Sequence, residues 1–241
     1  MSQKILHISD SHINDRQYDN SSKTPLGGLS LAVDLAIGND IDCIVHSGNI
    51  FHHQTVNSNT FDAVRDQLQR LSTMGIDFFC IRGNKELKRP GNEVSNLIGE
   101  QYVQQLDSNA RIINDTALFG IDNVKTKKDI QLKLDSLSST SQPTQNIVVA
   151  HQRLSPPCKH ELADISAKDF YNSTKLDLNI VLAGGQYEPC IWEADNCNFS
   201  VIYSGSTNPL VIAPGATITG TLIEINLKGY EIKSVSLRNS K

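Results

Sequence analysis

No stretch of this chain approaches the roughly 18 consecutive apolar residues that a membrane-crossing helix requires. The amino terminus, MSQKILHIS, enters a strand pattern at once, without the basic region and apolar segment of a secretory signal. A membrane role is therefore not expected, and a cytoplasmic location is. Cysteine is sparse: of the five, Cys43 and Cys80 sit inside apolar strand-like runs, and Cys158, Cys190 and Cys197 are scattered without a C-x-x-C spacing. All five read as reduced thiols, which excludes a disulfide framework and a cysteine zinc site. A positive balance is also missing, because 22 Lys and Arg face 26 Asp and Glu for a formal net charge of −4. The chain as a whole thus offers no electrostatic attraction to a phosphate backbone. Local patches remain. Arg82, Lys85, Lys88 and Arg89 share one loop and are candidate phosphate or DNA contacts; Lys125, Lys127, Lys128 and Lys133 read as a solvated helix face.

What is present is a series of apolar strands that each end in a polar cluster. KILHIS runs into Asp10-Ser11-His12, IDCIVHS into Gly48-Asn49, and DFFCIR into Gly83-Asn84-Lys85-Glu86. A doubly wound sheet places its chemistry at the carboxyl ends of its strands, so the pattern predicts one rim carrying all three clusters. Between them, Gly27-Gly28 opens a helix through Leu29, Leu31, Ala32, Leu35 and Ala36. NTFDAVRDQLQRLSTMG places Phe61, Val64, Leu68 and Leu71 on one helical face with Gly75 as the stop. Further along, a helix is predicted near Val94 to Leu106, then strands ARII and ALFGI, a Lys-rich helix near residues 124 to 138, and a polar connector SSTSQPTQ before strand NIVVA. From Asn179 onward the pattern contains strands only, the last two joined by a hairpin turn at Leu227-Lys228-Gly229-Tyr230. A length of 241 residues suits one α/β domain with a substantial core, taken as residues 1–241.

The strand-end clusters, with His151-Gln152 and Gly184-Gly185-Gln186-Tyr187 after later strands, resemble in order and spacing the five motifs of the calcineurin-like metallophosphoesterases. Within that superfamily the chain is most similar to the DNA double-strand-break repair nucleases of the SbcD or Mre-eleven type, through HISDSHINDRQY, VHSGNIFH, AHQ and the YSGST of Tyr203 to Thr207. The resemblance implies a four-layer α/β/β/α sandwich of two mixed sheets flanked by helices. It also implies a two-metal site, manganese being the usual ion, with ligands at Asp10, His12, Asn49, Asn84, His151, Gly185 and Tyr187.

Several of those positions depart from the pattern. Position 49 is an amide where the family carries the carboxylate that bridges two ions about 3.5–4 Å apart. Gly185 has no side chain to offer, and a Tyr187 phenol with its ordinary pKa of about 10 is a poor ligand near neutrality. Lys85 replaces the family's catalytic histidine, and a fixed cation neither shuttles protons nor tolerates two metal ions beside it. Two readings of Lys85 stay open: its ammonium fills the vacated metal pocket and pairs with Asp10, or it points into solvent. His52 and His53 follow the second motif closely enough to be substitute ligands, whereas His7 and His46 read as locally hydrogen-bonded core groups and His160 as exposed.

The expectation is a nuclease-family protein that is catalytically degenerate, holds no metal or one weakly bound divalent ion, and acts by binding DNA or a protein partner. The alternatives are an active phosphodiesterase or exonuclease with a remodelled one-metal site, and a structural subunit. The resemblance also implies as partners an SbcC-type ATPase or another subunit, and a homodimer formed through the helix from Asn59 to Gly75. Such enzymes continue into DNA-capping and ATPase-docking regions, which are expected to be absent here because the chain stops at Lys241.

Overall fold

The computed structural model describes residues 2–15, 24–87, 96–97, 100–139, 142–195, 198–210, 212, 217–226 and 229–237. The first sheet starts from β1 (Gln3–Ile8), β2 (Cys43–His46), β3 (Asp77–Cys80) and β4 (Val103–Gln105), all parallel to their neighbours. On its other side β13 (Thr219–Asn226) pairs antiparallel with β1, and β14 (Gly229–Ser236) with β13. The second sheet has β6 (Thr116–Ile121), β7 (Gln145–Ala150), β10 (Ile180–Ala183) and β12 (Ser200–Tyr203) in parallel. Its antiparallel edges are β5 (Arg111–Ile113) and β11 (Cys190–Glu193). A short parallel pair, β8 (Leu154–Ser155) and β9 (Ile165–Ser166), stands apart from both sheets.

Alternation along the strands explains how the layers stack. In β1, Ile5 faces one way and Leu6 and Ile8 take part in another core; in β3, Phe79 parts from Phe78 and Cys80 in the same manner. Ile5, Val45 and Phe79 meet Leu118, Ile147, Val149, Leu182 and Ile202 of the second sheet, forming an apolar layer between the sheets. Leu6, Ile8, Ile44 and Phe78 instead pack under helices α1 (Pro25–Gly38) and α2 (Ser58–Thr73). On the far side, Phe119, Val148, Val181 and Tyr203 pack with Ile130 and Leu134 of helix Lys127–Asp135 and with Phe170 of helix Ala167–Asn172. The result is the α/β/β/α arrangement, with strands buried on both faces and therefore reading as continuous apolar runs.

Both long helices have local start signals. Thr24 caps α1 by accepting from Gly27 N at 3.2 Å with Pro25 in the first turn, and Asn57 caps α2 by accepting from Thr60 N at 2.8 Å. Val64, Leu68 and Leu71 are buried as their spacing requires, Phe61 is half-buried, and Gly75 follows at φ 72°.

The helix expected near Val94 to Leu106 is corrected at its end. Val103–Gln105 is a strand because pairing with Phe78–Cys80 supplies its backbone bonds; residues 88–95 and 98–99 of that segment lie outside the described ones. The expected hairpin is present, with Asn226 opposite Gly229, and its tip at 227–228 is likewise outside them. Cys43, Cys80, Cys158 and Cys190 are free thiols, and Cys197 is not among the described residues. Among those residues no helix is long and apolar enough to cross a membrane.

The middle layer should dominate stability. Phe79 is 1% exposed between the sheets. Phe79→Ala is expected to lower the unfolding free energy by about 3–5 kcal/mol, measured by denaturant titration; a loss well under about 1 kcal/mol would contradict the description of this layer.

Candidate functional site

Five parallel strands, β1, β2, β3, β7 and β10, release the chain at the same end of the two sheets. They deliver Asp10, Asn49, the 83–86 loop, His151 and Gly184–Gly185 to one place. The loops take unusual backbone to do so: Asp10, His12 and Asn49 have φ of 51°, 48° and 60°. Gly48, at φ 96°, lies so close to Gly83 and His151 that a Cβ would collide with both.

Asn49 is the centre of the arrangement. Its Nδ2 donates to Asp10 Oδ1 at 2.9 Å and to His151 Nε2 at 3.1 Å, and its Oδ1 accepts from the backbone N–H of Lys85 at 3.0 Å. Turning the amide over would set oxygen against the Asp10 carboxylate and nitrogen against the Lys85 N–H, so the network itself assigns the orientation. His151 Nδ1 donates to the Ser47 carbonyl at 2.7 Å, which leaves Nε2 as the acceptor. The amide therefore uses both of its hydrogens on the two groups that, by family resemblance, should offer lone pairs to metal.

Asp10 is fully buried yet well provided with donors. Besides Asn49, Gly185 N donates to Oδ2 at 2.8 Å and Ser9 Oγ at 3.0 Å, while His12 Nε2 lies 3.4 Å from Oδ1. Burial alone would raise its pKa; the imidazoles of His151 and His12 and the Gly185 amide overcome that and hold the carboxyl below the usual carboxylate range. Glu86, 1% exposed, ties two loops together by accepting from Asn49 N, Gly83 N and Phe51 N at 3.0, 2.7 and 3.2 Å. Burial raises its pKa, and those backbone donors oppose the shift.

The departures from the family pattern are filled by other contacts. Gly185, at φ 90°, works through its N–H, and any side chain there would be strained. The Tyr187 hydroxyl lies 3.4 Å from His12 Nε2; burial first and Asp10 second raise its pKa, so the phenol stays protonated. Lys85 is half-buried, and its ammonium makes no ion pair among the described residues; of its two readings the pairing with Asp10 is not seen, and the Asn49 amide donates to that carboxylate instead. Asn84 is exposed beside it.

His52 Nδ1 lies 3.4 Å from His12 Nδ1, and His53 stacks edge-on behind His52 at 4.6 Å between ring centroids. Burial, then His12, His53 and Lys85, lower the pKa of His52. Even so, no cluster of three or more His, Cys, Asp or Glu side chains among the described residues is disposed to hold an ion. Arg82 is committed to Asp122, through its backbone N–H at 2.7 Å and its guanidinium at 3.6 Å, and Lys88 and Arg89 lie outside the described residues. Of the basic residues set aside as a solvated face, Lys125 lines the same cleft as Lys85, and so does Arg153, which sequence reasoning missed.

Position by position, the residues do not fit a two-ion centre: the bridging position holds a donor, one imidazole position holds only a backbone N–H, and the other holds a protonated phenol. Asn49→Asp should then place two carboxylates against each other. It is expected to cost about 3 kcal/mol or more in EDTA and to regain stability on manganese addition. Equal denaturant stability of variant and parent in EDTA would contradict the bridging role.

A second prediction concerns pH. His7 bonds Ser47 Oγ at 2.9 Å and His46 bonds Ser11 Oγ at 2.9 Å, both fully buried. Burial, the largest cause, lowers each from 6.5 to about 3. The folded chain resists protonation that the unfolded chain accepts below about pH 6.5, so stability should fall as pH drops from there toward 3. Asp10, whose pKa is also lowered, contributes stability that is lost only below the ordinary carboxylate value of 3.8. Denaturant midpoints should therefore decline between about pH 6.5 and 4, with a shallower decline in His7→Gln; a flat profile would contradict the assignment.

A model of the calcineurin-like phosphoesterases matches residues 3–189. The chain is 26% identical over 207 residues to the DNA double-strand break repair protein Mre11 of Haloferax volcanii, covering 85% of this chain and 45% of that one. It is 22% identical over 246 residues to the Methanosarcina acetivorans protein of the same name, covering 98% and 39%. It thus spans less than half the length of these relatives. Among solved structures, the fold is similar to a dimetal phosphatase from Danio rerio, with a TM-score of 0.57, 14% identity and coverage of 98% and 99%. The protein TT1561 of Thermus thermophilus gives a TM-score of 0.60 at 12% identity over 99% and 100%. With its strand-end loops in this geometry and most of its length matched, the chain belongs to the calcineurin-like phosphoesterase family.

Proposed function

We propose that this chain is an SbcD or Mre11-like member of the nuclease branch that does not carry out two-metal hydrolysis and works by binding DNA or a protein partner. The observation that carries the reading is the Asn49 amide, which donates to Asp10 and His151. Two divalent ions close together need an anionic bridge to offset their repulsion, and hydrolysis needs the hydroxide such a pair generates. A donor at that position opposes both.

Three further features support it. Lys85 stands where a proton-handling imidazole belongs, and an ammonium beside the site opposes the entry of cations. Tyr187 and Gly185 remove two nitrogen ligands. The buried charge of Asp10 is already satisfied by Asn49, Gly185 and Ser9, so it does not need an ion. The similarity to Mre11 proteins of two archaea supports DNA as a partner class, together with a second subunit or a second copy of the chain. A cytoplasmic setting accords with that chemistry.

The test is catalytic. Manganese-dependent degradation of a labelled duplex, and hydrolysis of a generic phosphodiester, are expected to be undetectable or lowered by several orders of magnitude, since each missing transition-state contact costs about 10²–10³. Metal-dependent degradation that disappears in Asp10→Ala and His151→Ala would overturn the proposal in favour of a one-metal enzyme.

A further inference from the structure

Strand β14 is the outermost strand of the first sheet, paired along its length with β13 on one side and with nothing among the described residues on the other. In an antiparallel ladder every second residue turns its N–H and C=O away from its partner, so this edge presents a row of unpaired donors and acceptors. Native chains often blunt such an edge with charge, and β14 carries Glu231 and Lys233. Their placement is nevertheless self-complementary, because the two flank Ile232 symmetrically. A second β14 laid antiparallel, with Ile232 opposite Ile232, brings each Glu231 opposite the copy's Lys233 and makes two ion pairs across the seam. Sliding the copies by two residues sets Glu231 against Glu231 in one direction and Lys233 against Lys233 in the other, so charge selects one register.

A second observation lies within the chain. Glu224 of β13 stands directly opposite Glu231, a like-charge cross-strand pair, with Lys4 of β1 opposite Glu224 on the other side. Lys4 Nζ is turned to the Asn39 carbonyl at 3.0 Å, and Glu231 is left with Lys233 of its own strand, 3.1 Å away and exposed. Exposed pairs of this kind contribute little and exchange partners easily. The copy's Lys233 would complete a row across the sheet of Lys4, Glu224, Glu231 and lysine. On the other face of β14, Tyr230 and Ile232 pack against the inter-sheet core, and the Tyr230 hydroxyl lies 3.0 Å from Ser200 Oγ of β12. That puts β14 on the same side of the sandwich as β11, where Ile191 is 40% exposed beside Ile202 of the same core. The edge thus offers apolar surface on one face and matched charge on the other. We infer that two copies of this chain join β14 to β14 in this register, turning their two six-stranded sheets into one continuous sheet. The seam uses a face other than the helix from Asn59 to Gly75 and does not depend on what the strand-end rim binds; it specifies which surface meets a second copy.

The test is sedimentation velocity of the full chain in EDTA, from low micromolar to near-millimolar concentration. A seam of one strand pair is short, so a concentration-dependent equilibrium of monomer and dimer is expected. Lys233→Glu, and separately Glu231→Lys, set like charges opposite one another at two places and should each weaken association by at least about tenfold. Both side chains are exposed, so melting curves should match the parent. Two results are specific to this register. The double exchange, Glu231→Lys with Lys233→Glu, should restore the dimer, and an equimolar mixture of the two single variants should form a heterodimer although neither associates alone. A chain that stays monomeric at every concentration overturns the inference. So does a dimer indifferent to both reversals, a dimer dissolved by Arg65→Glu on α2 instead, or a mixture of the single variants that fails to associate.

Discussion

Everything at the strand-end rim turns on how a buried carboxylate is kept satisfied. Asp10 has no solvent contact, and an unpaired charge in such a place would be prohibitive. In a two-metal phosphoesterase the ions serve as the counter-charge. In this chain an amide from β2's loop donates one hydrogen to Asp10 and one to His151. On the proposed metal-free reading, the neutral amide stabilises the carboxylate without the repulsion that two cations would feel, and the Lewis acidity is given up with them.

That choice propagates outward. Asn49 can hold its position because Glu86 accepts from its backbone N–H and the backbone N–H of Lys85 donates to its side-chain oxygen, which locks the second and third loops together. His151 belongs to the second sheet, so the Asn49–His151 contact and the His151–Ser47 bond stitch the two sheets at their polar end. The apolar layer of Ile5, Val45, Phe79 and Ile147 does the same through the interior. Left-handed backbone at Asp10, His12 and Asn49 is sustained because contacts from several strands fix each of them.

Much of this was legible in the sequence. Apolar runs ending in Asp10-Ser11-His12, Ser47-Gly48-Asn49 and Gly83-Asn84-Lys85-Glu86 announced both the parallel strands and the rim they share, because burial on two faces leaves a continuous apolar signature. The departure from the family pattern at 49, 185 and 187 was legible too, since it depends only on residue type. Which group would sit between Asp10 and His151 was not: Lys85 carries the charge, but a short amide with two hydrogens fits between an oxygen and a nitrogen, as Asn49 does. Glu86 was passed over although an acid directly after Gly-Asn-Lys is the signal. Helix Ala167–Asn172 was missed although Ser166 caps it by accepting from Asp169 N, a Ser-x-x-Asp start. Strand Val103–Gln105 was masked by helical spacing that its pairing to β3 overrides. Arg153 stood alone in sequence, and only the fold brings it beside Lys125.

The central claim is that an amide occupies the place of the metal pair. Crystals grown with manganese and measured at the manganese absorption edge test it most directly. The account predicts no anomalous density between Asp10, Asn49 and His151, with the Asn49 amide still within hydrogen-bond distance of both partners. Two peaks there, about 3.5–4 Å apart, would contradict it.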